Sequence, residues 1–218
     1  MSNNKILSRE ADFKIDDESR SFSGYGIVFN SDSVPLVIHD RDNGDIEVYE
    51  QITRASIEGA DMTDAIAAIN HDFGKILGRS TAGTLELSID DKGVMYRVPD
   101  LPNTTYANDL RESTSRGDIR GSSFTFSIDW EAGYDIEERS DGGLTARPKK
   151  IKRVYEMGPV TNPAYPETTA ENRSSALFTA IGEFLQRKNE PEQPEQIGQD
   201  KMNDLEKKLR LSEEEAAL

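Results

Sequence analysis

The chain has 218 residues, of which 35% are hydrophobic and 31% are charged, and its net charge at pH 7 is −15. This length accommodates one good-sized domain with an appendage, and the acidity disfavours nucleic acid and anionic membrane surfaces as partners. The absence of cysteine excludes disulfides, thiolate zinc sites and cysteine nucleophiles. Because no apolar run approaches the roughly 20 residues of a membrane helix and the N-terminus resembles no signal peptide, we expect a soluble, intracellular protein.

The first part of the chain predicts short strands and one helix. Residues 20–30 mix apolar and aromatic residues with glycine, which predicts a strand with a bend or bulge. A loop or hairpin that holds His39 is expected over 31–45, and 46–52 alternates like another strand. Residues 56–69 predict a short helix.

The middle of the chain begins with a hairpin signal, because the strand-like residues 84–89 and 94–98 flank the turn Asp-Asp-Lys-Gly. A helix is predicted over 104–117. The stretch 119–130, Ile-Arg-Gly-Ser-Ser-Phe-Thr-Phe-Ser-Ile-Asp-Trp, alternates apolar and hydroxyl residues and therefore predicts a strand.

This strand predicts a buried face and a polar face. The expected core face holds Phe124, Phe126, Ile128 and Trp130, and Ser123 lies on the opposite face. Two further strands are expected around the turn Ser-Asp-Gly-Gly. With seven or eight strands and two helices before Pro166, the sequence favours an α+β fold, mainly an antiparallel β-barrel or sheet with flanking helices.

The character of the chain changes after Pro166. A helix over 174–187 is expected to place its apolar residues on one face, namely Leu177, Phe178, Ile181, Phe184 and Leu185. A polar linker over 188–199 and a final helical segment follow. We therefore predict a domain over 1–166 and a helical or disordered tail over 167–218, which fits a partner-binding arm.

Histidine is scarce, because His39 and His71 are the only two in the chain. A serine becomes a useful nucleophile when a base within hydrogen-bond reach takes its proton. His71 lies before a predicted strand, whereas His39 lies in an Asp-rich loop where a solvated histidine is unremarkable. Taken alone, Ser123 and His71 are ordinary residues, and Glu156 is expected to be a strand residue facing solvent.

A metal site is a further interpretation of His71 and Asp72, although no other His or Cys ligand is nearby in the sequence. No cofactor is predicted.

Several stretches in the same order resemble the HK97-type prohead serine protease family of tailed bacteriophages, over about Phe22 to Tyr165. The first two are Phe-Ser-Gly-Tyr-Gly-Ile-Val-Phe-Asn from Phe22 and Tyr-Glu-Gln-Ile-Thr-Arg-Ala-Ser-Ile from Tyr49. The histidine motif is Ile-Asn-His-Asp-Phe-Gly-Lys-Ile-Leu-Gly-Arg from Ile69, and the serine motif is Arg-Gly-Asp-Ile-Arg-Gly-Ser-Ser-Phe-Thr-Phe-Ser from Arg116. The last stretch is Val-Tyr-Glu-Met-Gly-Pro-Val-Thr-Asn-Pro-Ala-Tyr-Pro-Glu-Thr from Val154.

The resemblance implies His71 as the base, Ser123 as the nucleophile and Glu156 as the third member. Ser123 is preferred to Ser122 because it occupies the third position of Gly-x-Ser. The implied fold is that of herpesvirus assembly proteases, which use Ser-His-His, but both histidines here precede the serine. A carboxylate must then orient His71, with Asp72 as the rival to Glu156.

Some positions depart from the family pattern. Thr125 stands where glycine is frequent, Ala55 and Ser56 stand where Gly-Ala is common, and Glu-Met-Gly-Pro-Val replaces Glu-Val-Ser-x-Val. The serine and histidine positions are unaffected. Backbone N–H groups near Gly121 or Gly158 are candidates for the donors that stabilise the oxyanion.

The expected function is a serine endopeptidase that cleaves capsid-precursor or scaffold protein during prohead maturation, with self-cleavage. It would act in the host cytoplasm inside the assembling prohead, without nucleic acid or membrane partners, and a homo-oligomer is compatible with the sequence. The alternative is a catalytically silent scaffold or assembly protein that binds capsid protein through its tail.

Overall fold

The computed structural model describes residues 14–16, 20–40, 44–161 and 170–189. Twelve strands lie in this part of the chain: β1 (Lys14–Asp16), β2 (Ser21–Val28), β3 (Leu36–Asp40), β4 (Gly44–Glu50), β5 (Ile66–Ile69), β6 (Asp72–Arg79), β7 (Glu86–Ile89), β8 (Gly93–Val98), β9 (Gly121–Ile128), β10 (Tyr134–Glu138), β11 (Leu144–Pro148) and β12 (Ile151–Val160). Three α-helices accompany them: α1 (Arg54–Ile57), α2 (Thr105–Ser115) and α3 (Ala170–Asn189).

The strands form three four-stranded sheets in the described residues, ordered β1-β2-β8-β7, β10-β11-β4-β3 and β6-β5-β12-β9. The first sheet is antiparallel throughout. The second and third each contain one parallel pair, β11 with β4 and β12 with β5. The α+β class is therefore confirmed, whereas the barrel is not: the described strands do not close, and the sheets are partly mixed.

The first and third sheets face each other. Gly26 on β2 leaves room for Met157 on β12, because a Cβ at Gly26 would lie 2.7 Å from the Met157 sulfur. The fully buried Tyr96 on β8 reaches Ser122 on β9 with its hydroxyl. This packing turns one face of the third sheet into the core and leaves its other face for the polar residues of β9.

Several predicted elements are found. The strand at 20–30 is β2, with an irregularity in pairing between Tyr25 and Ile27, the hairpin is β7–β8, and α2 and β9 lie where they were expected. Both strands around the Ser-Asp-Gly-Gly turn are present as β10 and β11. His39 lies on β3 of a hairpin, paired with Asp45 on β4.

The helix predicted over 56–69 is wrong. The chain forms only the short α1, in which Thr53 and Ser56 make a capping box, and then the strand β5. All four residues of β5, Ile-Ala-Ala-Ile, are buried. A short apolar run that is buried on both faces has no period that separates a strand from a helix, which explains the error.

Two expected core residues are exposed. Trp130 lies two residues beyond the end of β9 and is 48% exposed, because alternation no longer governs its direction there. On α3, Leu177 and Ile181 are buried as expected, but Phe178 is 52% exposed.

Glu156, which was expected to face solvent, is instead fully buried.

The chain divides into two compact units, Met1–Phe184 and Leu185–Leu218. The linker predicted at 188–199 and the final helical segment lie outside the described residues, apart from the last residues of α3. In the described part of the chain, no helix is long and apolar enough to cross a membrane.

Gly158 permits the close approach of β12 to β5. A Cβ at this position would lie 2.1 Å from the Ala68 carbonyl oxygen, which is a backbone atom and cannot rotate away. We expect Gly158→Ala to lower the free energy of unfolding by about 3 kcal/mol, measured by urea denaturation.

The matched control is Gly182→Ala on α3, where an added Cβ meets nothing within 4 Å. This substitution should stabilise the protein by about 0.5–1 kcal/mol, because alanine loses less conformational entropy than glycine in a helix. Equal effects of the two substitutions would contradict the proposed role of Gly158.

Candidate active site

His71 lies in the tight turn that joins β5 to β6. Ile69 pairs with Asp72, so Asn70 and His71 are the two central residues of the turn. Both have positive φ angles, 52° and 57°. This is the sign pattern of a type I′ turn, in which asparagine is favoured and glycine usually follows. A histidine in the second position costs backbone energy, and such strain tends to collect at functional sites.

Asn70 fastens this turn to the end of β12. Its backbone N–H donates to the Pro159 carbonyl at 2.9 Å, and its side-chain Oδ1 accepts from the Thr161 N–H at 2.8 Å. Both bonds join residues about ninety positions apart in the chain. The turn that carries His71 is therefore held against the same strand that carries Glu156.

Glu156 meets His71 in a short hydrogen bond. The distance from His71 Nδ1 to Glu156 Oε2 is 2.6 Å, and the side chains are 18% and 0% exposed. A carboxylate removed from water in this way requires a partner, and His71 supplies one. The pairing through Nδ1 leaves the other ring nitrogen, Nε2, for a different partner.

A break in the pairing of β12 with β9 explains why Glu156 is available. Val154 pairs with Phe126 and Glu156 pairs with Thr125, so the intervening Tyr155 is an extra residue on β12. Without this β-bulge, residues 154 and 156 would lie on the same face. The bulge moves Glu156 to the opposite face from Val154.

Ser123 lies on the same face as Glu156. Directly paired residues of an antiparallel sheet share a face, so Glu156 shares the face of Thr125. Ser123 is two residues from Thr125, so it also points to this face, opposite Gly158. Ser123 and Glu156 are thus diagonal neighbours, with Cα atoms roughly 7–8 Å apart by the usual sheet geometry.

The neighbouring Ser122 points the other way. Its hydroxyl is 3.0 Å from the Tyr96 hydroxyl in the core between the first and third sheets. Burial raises the pKa of Tyr96 far above its usual range; the Ser122 hydrogen bond opposes this effect and the Glu156 charge adds to it. Tyr96 therefore stays protonated, and its hydroxyl holds Ser122 inward.

Asp72, the rival orienting residue, is engaged elsewhere. Its Oδ1 accepts from the Gly74 N–H at 2.8 Å, and its Oδ2 is 3.2 Å from the Lys75 ammonium. The Gly74 hydrogen bond, followed by that of Lys75, lowers the pKa of Asp72. Of the two candidate carboxylates, Glu156 is the one that contacts the His71 ring.

The second histidine offers a comparison. His39 Nδ1 also contacts a carboxylate at 2.6 Å, that of Asp45, but the two side chains are 80% and 69% exposed. This pair lies on the surface of a hairpin in the second sheet. Within the described residues, no group of three His, Asp or Glu side chains is arranged to hold a metal ion.

Sequence reasoning missed three contributors to this arrangement: Asn70, Tyr96 and the β-bulge at Tyr155. The signal for the turn was the pair Asn-His after a short apolar run, since asparagine tolerates positive φ. Tyr96 gave no signal, because its partner lies on another sheet. The bulge was also not visible, because an extra residue has no distinctive side chain.

The fold and the site define a class of protein: a β-rich α+β protein in which a histidine is paired with a buried glutamate beside a serine-bearing strand. A comparison with protein families adds that the family described as Caudovirus prohead serine protease matches residues 7–180. The chain therefore belongs to this family of phage proteases, which act in capsid maturation. No curated protein matches the chain, and no solved structure matches it.

The Asn70 bonds generate a stability prediction. Asn70→Ala loses the bond to the Thr161 N–H and introduces a residue that disfavours positive φ, so it should lower the free energy of unfolding by about 2 kcal/mol. Asn70→Gly loses the bond alone and should cost about 1 kcal/mol or less.

Asn70→Asp is the control, because it keeps both an acceptor oxygen and tolerance of positive φ. It should remain within about 0.5 kcal/mol of the natural protein in urea denaturation. If alanine proved no worse than aspartate, the turn would not depend on Asn70.

Proposed function

We propose that the protein is a serine endopeptidase in which Ser123 is the nucleophile, His71 is the general base and Glu156 orients His71. Its proposed substrate is the capsid-precursor or scaffold protein of the assembling prohead. The observation that carries the proposal is the hydrogen bond between the partly exposed His71 and the fully buried Glu156, whose side chain shares a face of β9 and β12 with Ser123.

The proposed reaction is acyl transfer. Ser123 Oγ attacks the scissile carbonyl carbon while His71 Nε2 takes the hydroxyl proton. The tetrahedral intermediate collapses, His71 gives that proton to the leaving amine, and the acyl chain stays on Ser123. Water then attacks the ester with His71 again as base, which releases the carboxylate product and restores Ser123. Glu156 stabilises the imidazolium that forms in each half of the reaction.

Burial favours this division of roles. Because Glu156 is fully buried, its interaction with the imidazolium is weakly screened by solvent. Because His71 is partly exposed, a substrate can reach its outer edge. The rigid strand β9 gives Ser123 a defined direction, which a loop would not.

Self-cleavage and a partner-binding role for the tail over 167–218 belong to the same proposal. The family supplies the setting, the assembling phage capsid in the host cell. The apolar residues of α3 that point away from the core, such as Phe178, supply a surface for a partner.

Ser123→Ala should abolish both capsid-precursor processing and labelling by a fluorophosphonate probe, because no other hydroxyl would be activated by His71. Ser122→Ala is the matched control. Its side chain is buried against Tyr96, so this variant should keep labelling, although it leaves the Tyr96 hydroxyl without the Ser122 partner and loses about 1–2 kcal/mol of stability.

Undiminished processing by the Ser123→Ala protein would contradict the proposal. If processing were unaffected and the natural protein also failed to react with the probe, the scaffold or assembly role would be favoured. Labelling that moved to Ser122 would show that the wrong serine had been assigned.

The two histidines allow a second paired test. His71→Ala should reduce the rate of probe labelling by at least about 10⁴-fold, as expected for the loss of a general base. His39→Ala removes a histidine with the same carboxylate distance in an exposed setting and should leave the rate unchanged. Similar losses in both variants would indicate a general effect on folding instead.

A further inference from the structure

Thr125 makes a contact that the proposed mechanism does not use. Its hydroxyl donates to Glu156 Oε2 at 3.3 Å, the same oxygen that meets His71 Nδ1 at 2.6 Å. The other carboxylate oxygen, Oε1, is buried and has no hydrogen-bond partner among the described residues. The carboxylate is therefore held through one oxygen by two side chains.

The position of Thr125 makes this contact well defined. Thr125 pairs directly with Glu156 across β9 and β12, so their Cβ atoms lie on the same face, opposite each other. Threonine is branched at Cβ, which restricts rotation of its side chain. Thr125 is also two residues from Ser123 on the same strand, so one rigid element carries both hydroxyls.

We propose that Thr125 is a positioning residue that fixes the rotation of the Glu156 carboxylate and, through it, the orientation of the His71 imidazole. The inference rests on the proposed function, because it assigns Thr125 a role in activating Ser123. Thr125 would not touch the substrate at the reacting atoms.

Thr125 would act by making the two oxygens of Glu156 inequivalent, because both could otherwise accept the hydrogen bond from His71. With Thr125 present, Oε2 receives two donors and the plane of the carboxylate is defined. Without the hydroxyl, His71 is the one described residue that still holds the group, and Oε1, which has no partner among these residues, can exchange places with Oε2. The imidazole then samples a wider range of orientations, so fewer of them bring Nε2 into line with the serine hydroxyl.

The test uses the full-length protein and a fluorophosphonate probe, with the maximal labelling rate and the probe concentration for half-maximal rate measured separately. Thr125→Val, which has the same shape but no hydroxyl, should lower the maximal rate about tenfold. The half-maximal concentration should stay within about twofold, because binding of the probe does not involve Glu156. Thr125→Ser restores the hydroxyl and should recover the maximal rate to within about threefold.

A spectroscopic measurement separates orientation from a general loss of structure. The proton on His71 Nδ1 in the short bond to Glu156 should give a far-downfield proton resonance, and His39→Ala leaves His71 as the only histidine. In that background, Thr125→Val should shift or broaden this resonance, whereas Thr125→Ser should leave it in place. If the valine variant does not fold, Thr125→Ala takes its place with the same expectations.

An unchanged maximal rate and an unchanged resonance in Thr125→Val would overturn the inference, as would an equal loss in the serine variant. Failure of the proposed function is distinguishable, because then either the natural protein would not be labelled or Ser123→Ala would still be labelled. A Thr125→Val effect on the resonance alone, without any effect on the rate, would also overturn it, since the carboxylate would have moved without consequence for Ser123.

Discussion

The arrangement of polar side chains on the third sheet depends on the hydrogen bond between Glu156 and His71. A carboxylate with no exposed surface requires hydrogen-bond donors, and Glu156 finds them on two elements distant in sequence, the β5–β6 turn and β9. Two backbone irregularities bring these groups together. One holds His71 at a positive φ angle, which is strained for most residues other than glycine, and the other interrupts the pairing of β12 with β9.

The first irregularity is the bulge at Tyr155, which shifts by one residue the alternation of β12 side chains between the two faces of the sheet. The strand pairs Val154 with Phe126 and Met157 with Phe124 on the core face, so its apolar residues are three positions apart instead of two. The extra residue places Glu156 on the face of Thr125 while the hydrophobic packing on both sides of it is kept. The second irregularity is the turn, where His71 adopts a φ angle that glycine would adopt more readily.

Elements with a clear period were predictable, and those that depend on tertiary contacts were not. Alternation identified β9 and the hairpin β7–β8, and the helix α2 was placed to within about two residues. The run Ile-Ala-Ala-Ile was mistaken for helix because it is buried on both faces. Glu156 was placed in solvent because a carboxylate is usually exposed unless it is paired, and its partner His71 lies on a distant turn. The histidine and serine positions were suggested by motifs, whereas the contact between His71 and Glu156 required coordinates.

Two independent features favour Ser123 over the adjacent Ser122. The Gly-x-Ser pattern selects Ser123 by its position in a motif, with no statement about direction. Sheet geometry makes the same selection for an independent reason: the buried Tyr96 hydroxyl draws Ser122 into the core, and alternation then directs Ser123 to the face of Glu156. A change of β9 register by one residue would reverse both directions at once. The Tyr96–Ser122 bond is therefore one of the contacts that favour Ser123 over Ser122 as the proposed nucleophile.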